Sequence, residues 1–578
     1  MHGIQRPIRR RDAIAADLPD ELHPLLRRLY AARAVRGPEE LDTTLERLLP
    51  PSGLGGMDRA TALLAEALAA GRRILVVGDF DADGATSCAL VVEALRAMGA
   101  DAVDFLVPDR FTFGYGLTPA IVEVAARRSP DLLVTVDNGI SSLEGVAAAR
   151  ARGMQVLVTD HHLPGPELPE ADAIVNPNQP GDPFQSKHLA GVGVAFYLMV
   201  ALRGRLREAG WFAARGLADP NLAGLLDLVA LGTVADVVPL DHNNRILVQQ
   251  GLARIRAGRC RPGILALVEV AGRNPARLVA ADLGFAIGPR LNAAGRLDDM
   301  SIGIDCLLAE DTGRARELAA QLDALNRERR EIEADMKEDA LRAIDALRLD
   351  VTDLPYGLCL YDPGWHQGVI GILASRIKER FHRPVVAFAD AGDGELKGSA
   401  RSVPGLHIRD VLDAVAATHP GLLSKFGGHA MAAGMTLEAA RLEDFRAAFD
   451  AEVRRELNGR PLDDHLDSDG ELAADEFSLE VAELLRNAGP WGQGFPEPLF
   501  DGLFEVVSSR VVGERHLKFS VRPPDSRRVL DAIAFNQGGH HPLAAGARLR
   551  LAYRLDVNEY RGVRSLQLVV EYLEPLAG

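Results

Sequence analysis

Carboxylates alternate in Gly78-Asp79-Phe80-Asp81-Ala82-Asp83-Gly84, and three later segments supply matching chemistry: Val136-Asp137-Asn138-Gly139, Asp160-His161-His162 and Val234-Ala235-Asp236-Val237-Val238-Pro239. Carboxylate oxygen and imidazole nitrogen are the donors that divalent ions such as Mg²⁺ or Mn²⁺ select. Carboxylates gathered in one cleft repel each other unless cations neutralise them. The set points to a metal-dependent hydrolase. Asp79-x-Asp81-x-Asp83-Gly84 also matches the opening of an EF-hand loop. That loop needs Glu at its twelfth position, where Leu90 stands, and residues 72–78 before it are strand-like rather than helical. Gly191 and Gly193 open a glycine motif, but Phe196 occupies the place of the third glycine of a dinucleotide fingerprint.

The elements that must position these residues follow from the apolar pattern. Strands are expected at Ile74–Asp79, Val103–Val107, Leu132–Asp137, Val156–Asp160 and Ala173–Asn176, with helices between them at Ala85–Met98 and Ser142–Arg152. Continuous apolar strands alternating with helices indicate a parallel sheet covered on both faces. Ligands of such sheets bind beyond the carboxyl ends of the strands, where Asp79, Asp137 and Asp160 stand. Further helices are expected at Gly191–Glu208 and Leu222–Ala235. From Thr312 to Leu347, Leu318, Leu322, Leu325, Ile332 and Met336 recur at helical spacing, with no Gly or Pro after Gly313, which predicts a long bridging helix. A second α/β lobe contains strand-like Gly357–Tyr361 and Pro384–Phe388. Five short β-like runs follow (Leu503–Val507, Leu517–Val521, Ala532–Phe535, Leu549–Leu555, Ser565–Tyr572), the pattern of a small barrel such as an OB-fold. The expected fold is α/β: a parallel-sheet domain joined by a long helix to a smaller α/β lobe, plus a C-terminal OB-fold-like β-barrel. The expected boundaries are an N-terminal extension over 1–50, the catalytic domain over 51–310, the connecting helix over 311–350, the second lobe over 351–458 and the barrel over 459–578.

A chain of 578 residues is too long for one core. Its 47% apolar and 25% charged residues are ordinary for a soluble protein. No apolar run reaches transmembrane length, Leu189 to Leu202 coming nearest, and no apolar segment follows the basic residues Arg6, Arg9, Arg10 and Arg11 to make a secretory signal. Cys88, Cys260, Cys306 and Cys359 lie far apart without zinc-like spacing, as expected of buried thiols in a reducing cytoplasm. The net charge of −16 argues at first sight against a nucleic-acid partner, but a local cationic track matters more than the sum.

The ordered set of Asp-Phe-Asp-Ala-Asp-Gly at 79–84, Val-Asp-Asn-Gly at 136–139, Asp-His-His at 160–162 and Val-Ala-Asp-Val-Val-Pro-Leu at 234–240 resembles the DHH phosphoesterase superfamily. Within it the chain is most similar to the RecJ family of single-strand-specific 5′→3′ DNA exonucleases. Gly427-Gly428-His429-Ala430-Met431-Ala432-Ala433-Gly434 resembles the signature of the associated DHHA1 domain, and Gly288-Pro289-Arg290-Leu291-Asn292-Ala293-Ala294-Gly295-Arg296 is also RecJ-like. One departure is Val77, which stands where some superfamily members have a metal-binding His, four residues before Asp81; Asp79 is expected to complete that shell.

The resemblance implies that Asp79, Asp81, Asp83, Asp137, His161 and Asp236 hold two Mn²⁺ or Mg²⁺ ions, with Asp137 bridging them. His162 would face the scissile phosphate, as donor or as acid for the leaving group, and Asp160 would orient the His pair. Two such ions supply hydroxide near neutral pH and stabilise charge on the phosphate. Arg290, Ser399 and Arg401 are candidates for a 5′ phosphate, with Gly398 allowing close backbone approach. Arg110 and Tyr115 would contact the neighbouring nucleotide, His366 and His429 would line the strand channel, and Asn292 and Arg296 are further substrate-binding candidates. A groove between two lobes would admit one strand but not a duplex, and the barrel would add sequence-tolerant affinity. The implied partners are single-stranded DNA with a 5′ end, a single-strand-binding protein and a RecQ-type helicase, for a cytoplasmic monomer. Two alternatives stand beside this reading: a small-substrate phosphoesterase acting on nanoRNA, nucleotide bisphosphates or cyclic dinucleotides, and a non-catalytic single-strand-binding scaffold.

Overall fold

The computed structural model describes residues 6–109, 113, 116–346, 355–428, 431–458, 465–513, 516–524, 526–535, 543–560 and 562–576. Arg110, Tyr115 and His429 lie outside them. Packing divides the chain into two units. The first comprises Met1–Gly295, Asp299–Asp323 and His465–Gly578, and the second Arg296–Asp298 and Ala324–Asp464.

In the first unit the strands run in the order Val103–Leu106, Ile74–Gly78, Leu132–Val136, Gln155–Thr159, Ala173–Val175, and every pairing is parallel. All five residues of Ile74–Gly78 and of Leu132–Val136 are buried, as continuous apolar runs require when helices cover both faces. The chain places its second strand on one side of the first and its third on the other. The topological switch point therefore falls between Ile74–Gly78 and Leu132–Val136, where open α/β sheets bind ligands. Each strand ends one residue before its expected last residue, which is an acid in three of them (Asp79, Asp137 and Asp160). Asp137 has φ +61°, a left-handed conformation that takes it out of the ladder. The first crossover helix starts earlier than expected, at Ala82 rather than Ala85, because Asp81 caps it. Gly191–Glu208 is helical as expected, whereas Leu222–Leu225 forms a 3₁₀ turn before the α-helix Leu226–Ala235.

The C-terminal strands Phe500–Val512, His516–Arg522, Leu530–Ala534, Arg548–Tyr560 and Val563–Pro575 close into a five-stranded barrel. The N-terminal segment is tied to this part of the chain rather than standing apart. Ile8–Arg10 pairs in parallel with Leu466–Ser468, and Arg33 grips Asp469 through two 2.9 Å hydrogen bonds. Both side chains of that pair are 1% exposed.

The second unit carries a five-stranded mixed sheet in the order Lys425–Gly428, Ala432–Glu438, Glu395–Arg401, Val385–Gly392, Leu358–Tyr361. The long helix spans Thr312–Ala346, its first turns belonging to the first unit and the rest to the second.

Removing one partner of a buried ion pair strands the other charge, at a cost of about 3–5 kcal/mol. Arg33→Ala should therefore lower the free energy of unfolding by about that amount, read by urea denaturation followed through tryptophan fluorescence; a loss within error of zero would show that the pair contributes nothing.

Candidate active site

Strand ends, two helix starts and one helix end meet at the switch point. Asp81 caps the helix Ala82–Ala97, its Oδ1 accepting the N–H groups of Asp83 (2.9 Å) and Gly84 (3.0 Å). Asp83, in the first turn of that helix, accepts Gly191 N–H (2.6 Å) and Val192 N–H (2.9 Å) at the start of the Gly191–Glu208 helix. Its carboxylate is thus anchored by the orphan amides and positive end of an 18-residue helix. The fit is tight: a Cβ on Gly191 would sit 2.6 Å from Asp137 Cβ, and one on Gly232 2.8 Å from Asp83 Oδ1. Asp236 follows the last residue of Leu226–Ala235.

Asp137 Oδ1 lies 3.1 Å from His161 Nε2, and Asp236 Oδ2 lies 3.4 Å from the same nitrogen. Donor atoms within 4.8 Å of one another form the groups Asp79–Asp81–Asp137, Asp83–His161–Asp236 and Asp137–His161–His162. Asp137 and His161 each belong to two groups, so the groups overlap as adjacent cation sites would. The charges are consistent with this. Burial, then the charges of Asp83, Asp81, Asp236 and Asp79, push the Asp137 carboxyl well above its usual range. Burial and the same cluster raise Asp236, and burial with the neighbouring Asp81 raises Asp83 to about 7. Such crowding of oxygen and imidazole donors fits divalent cations.

The histidines are held from behind. Asp160 is 1% exposed, and its Oδ1 accepts the N–H groups of His161 (2.7 Å) and His162 (3.1 Å) and meets His162 Nδ1 at 2.7 Å. Its Oδ2 accepts Ile140 N–H at 2.9 Å. Burial pushes the Asp160 carboxyl up, but the His162 hydrogen bond and charge outweigh it and hold the group below its ordinary value. Burial alone would lower His162; the Asp160 hydrogen bond and the charges of Asp160, Asp79 and Asp81 instead raise it to about 8.

Other parts of this frame are absent from the sequence reading. Asn176 Nδ2 donates to His162 O (2.9 Å) and Asn178 Nδ2 to His161 O (2.6 Å), while Asn138 Nδ2 bridges Val77 O (3.1 Å) and Val136 O (2.9 Å). The Asn-Pro-Asn turn at 176–178 directly after a strand was the available signal. Asn292, expected at the substrate, accepts Ala82 N–H on its Oδ1 at 2.7 Å and so braces the acidic loop. Arg290 is 8% exposed, with its guanidinium on Asp323 (2.8 Å) and Ala286 O (2.5 Å), inside the protein rather than open to an anion.

In the second unit Ser399 and Arg401 stand together, Arg401 Nη1 donating to Ser399 Oγ at 3.1 Å. A Cβ on Gly371, in the first turn of the helix Ile370–Phe381, would lie 2.9 Å from Arg401 Nη2 and 3.0 Å from Ser399 Oγ. A helix start beside an arginine and a hydroxyl is suited to a phosphate. Arg296 Nη1 donates to Gly368 O (3.1 Å), and His366 Nδ1 accepts Gly368 N–H (3.1 Å). The missing Cβ of Gly398 leaves room for Phe388 and Met435.

A cleft of about 1060 Å³ lies within the first unit, lined by Val237 and Val238 next to Asp236 and by Phe535 and Arg554 of the barrel segment. Phe285 is 80% exposed on its wall. Arg256 and Arg486 also line it, and among the described residues neither takes part in an ion pair.

The comparisons agree with this architecture. The DHH family, N-terminal domain, matches residues 73–233, the DHHA1 domain 354–455 and the RecJ OB domain 468–572. The single-stranded-DNA-specific exonuclease RecJ of Dickeya dadantii is 60% identical over 575 residues, covering 99% of this chain and 100% of that protein. This chain belongs to the RecJ family. The RecJ of Escherichia coli is 57% identical over 574 residues, again covering 99% of this chain and 100% of the relative. A crystal structure of Thermus thermophilus RecJ with Mn²⁺ superposes with a TM-score of 0.77 at 33% identity, covering 98% of this chain and 80% of that one. The same protein with Mg²⁺ gives 0.73 at 31%, covering 99% and 79%.

Carboxyls whose folded pKa is raised stabilise the metal-free fold fully below their unfolded value, about 4, and lose that contribution as pH rises through the folded value. Divalent ions bind the deprotonated set and release its protons. The Tm difference between Asp137→Asn and the wild type in EDTA should therefore grow in favour of the variant from pH 6 to 8, while the Tm gain of the wild type on adding Mn²⁺ increases over the same interval. A Mn²⁺ gain that shrinks with pH would contradict the assignment.

Proposed function

We propose that this chain is a divalent-metal-dependent exonuclease specific for single-stranded DNA, releasing 5′-mononucleotides from the 5′ end. The observation that carries the reading is the pair of donor groups Asp79–Asp81–Asp137 and Asp83–His161–Asp236, linked through Asp137–His161–His162, at the switch point of a parallel sheet in a RecJ-family chain. Asp79, Asp81, Asp83, Asp137, His161 and Asp236 are assigned to two Mn²⁺ or Mg²⁺ ions, which when bound make water acidic enough to attack near neutral pH and stabilise charge on the phosphate.

The chain's own residues do the rest. Asp160 fixes the His162 ring through Nδ1 and keeps it protonated near neutrality, so Nε2 is assigned to donate to the phosphate or to the leaving oxygen. Ser399 and Arg401, at the start of the Ile370–Phe381 helix, are assigned to the terminal 5′ phosphate. On sequence grounds Arg110, Tyr115, Arg296, His366 and His429 are assigned to the nucleotides behind it. The cleft beyond Asp236 would carry the strand onward, with Phe285 and Phe535 as stacking faces and Arg256 and Arg486 on phosphates. An enzyme that consumes only single strands needs a helicase to expose them and works on DNA coated by single-strand-binding protein, so both are proposed partners. No helix among the described residues is long and apolar enough to cross a membrane.

A 30-mer labelled separately at each end, incubated with Mn²⁺ beside its matched blunt duplex, tests the whole assignment. Mononucleotides should appear first from the 5′ label, the duplex should survive, and Asp137→Ala should abolish release while leaving the fold intact. Cleavage of dinucleotides with the 30-mer spared would instead mark a small-substrate phosphoesterase. Phe285→Ala should weaken 30-mer binding by about 1–3 kcal/mol yet leave dinucleotide turnover unchanged; equal loss on both substrates would place Phe285 outside the strand path.

A further inference from the structure

Asp236 is followed by a residue in a costly conformation. Val237 has φ +62° and is 63% exposed, so a β-branched side chain occupies the left-handed region with no burial of its own to hold it there. Such geometry persists only where neighbouring structure over-determines it. The bonds downstream meet that condition. Asn244 Nδ2 donates to Pro239 O (3.0 Å), Gln493 O accepts Leu240 N–H (2.7 Å), and Arg245 Nη1 donates to Leu240 O (3.2 Å). Gln493 belongs to a tight turn in the segment that leads into the barrel. Gly492 N–H reaches Phe495 O at 2.9 Å and Phe495 N–H returns to Gly492 O at 3.1 Å. Phe495 stacks on Trp491 at 5.2 Å and lies under the Arg245 guanidinium at 4.3 Å. Both flanks are fixed too: Tyr30 Oη donates to Ala488 O (2.8 Å) and Arg33 Nε to Pro496 O (2.7 Å). The turn presses closely on the loop, since a Cβ on Gly492 would sit 2.7 Å from Leu240 Cδ1 and one on Gly494 3.1 Å from Pro239 Cβ.

We propose that the turn Gly492–Phe495 is a positioning element of the active site: it clamps Pro239–Leu240, holds Val237 in its left-handed conformation and thereby aims the Asp236 carboxylate. The segment leading into the barrel then sets metal affinity as well as carrying the barrel. The inference rests on the assignment of Asp236 as a metal ligand.

Mn²⁺ binding to the metal-depleted full-length protein, followed by the EPR signal of the free ion without DNA, separates the two ideas. Gly492→Ala should weaken Mn²⁺ binding about tenfold, the scale of losing support behind a ligand. Leu240→Ala makes room for the added methyl, so Gly492→Ala should have no further effect in that background. Affinity for a 30-mer in EDTA should stay within about twofold of wild type, which a general loss of folding or of strand binding would not allow. If Gly492→Ala folds poorly, Arg245→Lys, which removes the contact to Leu240 O from the other side, must show the same loss. Wild-type Mn²⁺ affinity in both Gly492→Ala and Arg245→Lys, with binding impaired in Asp236→Ala, would overturn the clamp. Wild-type affinity in Asp236→Ala would overturn the ligand assignment beneath it.

Discussion

Mutual repulsion of carboxylates packed into one buried space is the constraint around which the first unit is arranged. Asp79, Asp83 and Asp137 are each 5% exposed or less, and Asp81 and Asp236 adjoin them. Uncompensated, such a cluster takes up protons, and that is the direction in which Asp83, Asp137 and Asp236 are pushed. Cations reverse it, but the protein must still hold the oxygens in place before they arrive. It does so with backbone N–H groups: Gly191 and Val192 on Asp83, Asp83 and Gly84 on Asp81, Ile140, His161 and His162 on Asp160. Backbone amides offset carboxylate charge partially without the full positive charge of Lys or Arg, which would compete with a metal for the same oxygens.

The same logic explains the side chains chosen to brace the loops. Asn138, Asn176, Asn178 and Asn292 each bond to backbone near the cluster. A carboxamide can hold a carbonyl or an N–H while adding no charge to a site whose function depends on charge balance. Arginines do similar structural work farther out, where they find acids: Arg33 with Asp469, Arg261 with Asp227, Arg290 with Asp323. Neutral clamps therefore surround the centre, and ionic ones support the frame.

Much of this was legible in the residues. The five strands of the parallel sheet and the five of the barrel follow from apolar runs between polar turns, and the acids at strand ends follow from the rule that such sheets bind ligands there. In the parallel sheet the expected strand ends run one residue too far, because a residue such as Asp137 that leaves the ladder at φ +61° carries no apolar signal of its departure, whereas barrel strands such as Phe500–Val512 outrun the apolar run Leu503–Val507 that marks them. Asn292 is a substrate-binding candidate by its RecJ-like motif; that its oxygen accepts Ala82 N–H depends on a contact between residues 210 positions apart. Gly398 shows the same limit, since a glycine that admits Phe388 and Met435 reads no differently from one that admits an anion. Tertiary partners decide such roles, and periodicity does not encode them.

The net charge of −16 also finds a physical place. Along the cleft, most arginines have acidic partners: Arg273 with Asp282, Arg277 with Glu559, Arg554 with Glu497. A wall neutralised in this way attracts a polyanion weakly along its length, and on the proposed assignment attraction there is concentrated where Arg256 and Arg486 stand. A continuous cationic track would hold a strand by many phosphates at once and would have to release all of them at each step. On the proposed assignment the strand advances one nucleotide after each cleavage. Sparse phosphate contacts combined with aromatic faces such as Phe285 and Phe535, which stack any base, let successive registers be nearly equal in energy. The acidity of the protein is then compatible with a nucleic-acid substrate, because on that assignment the strand is held at a few separated contacts and not along a continuous cationic track.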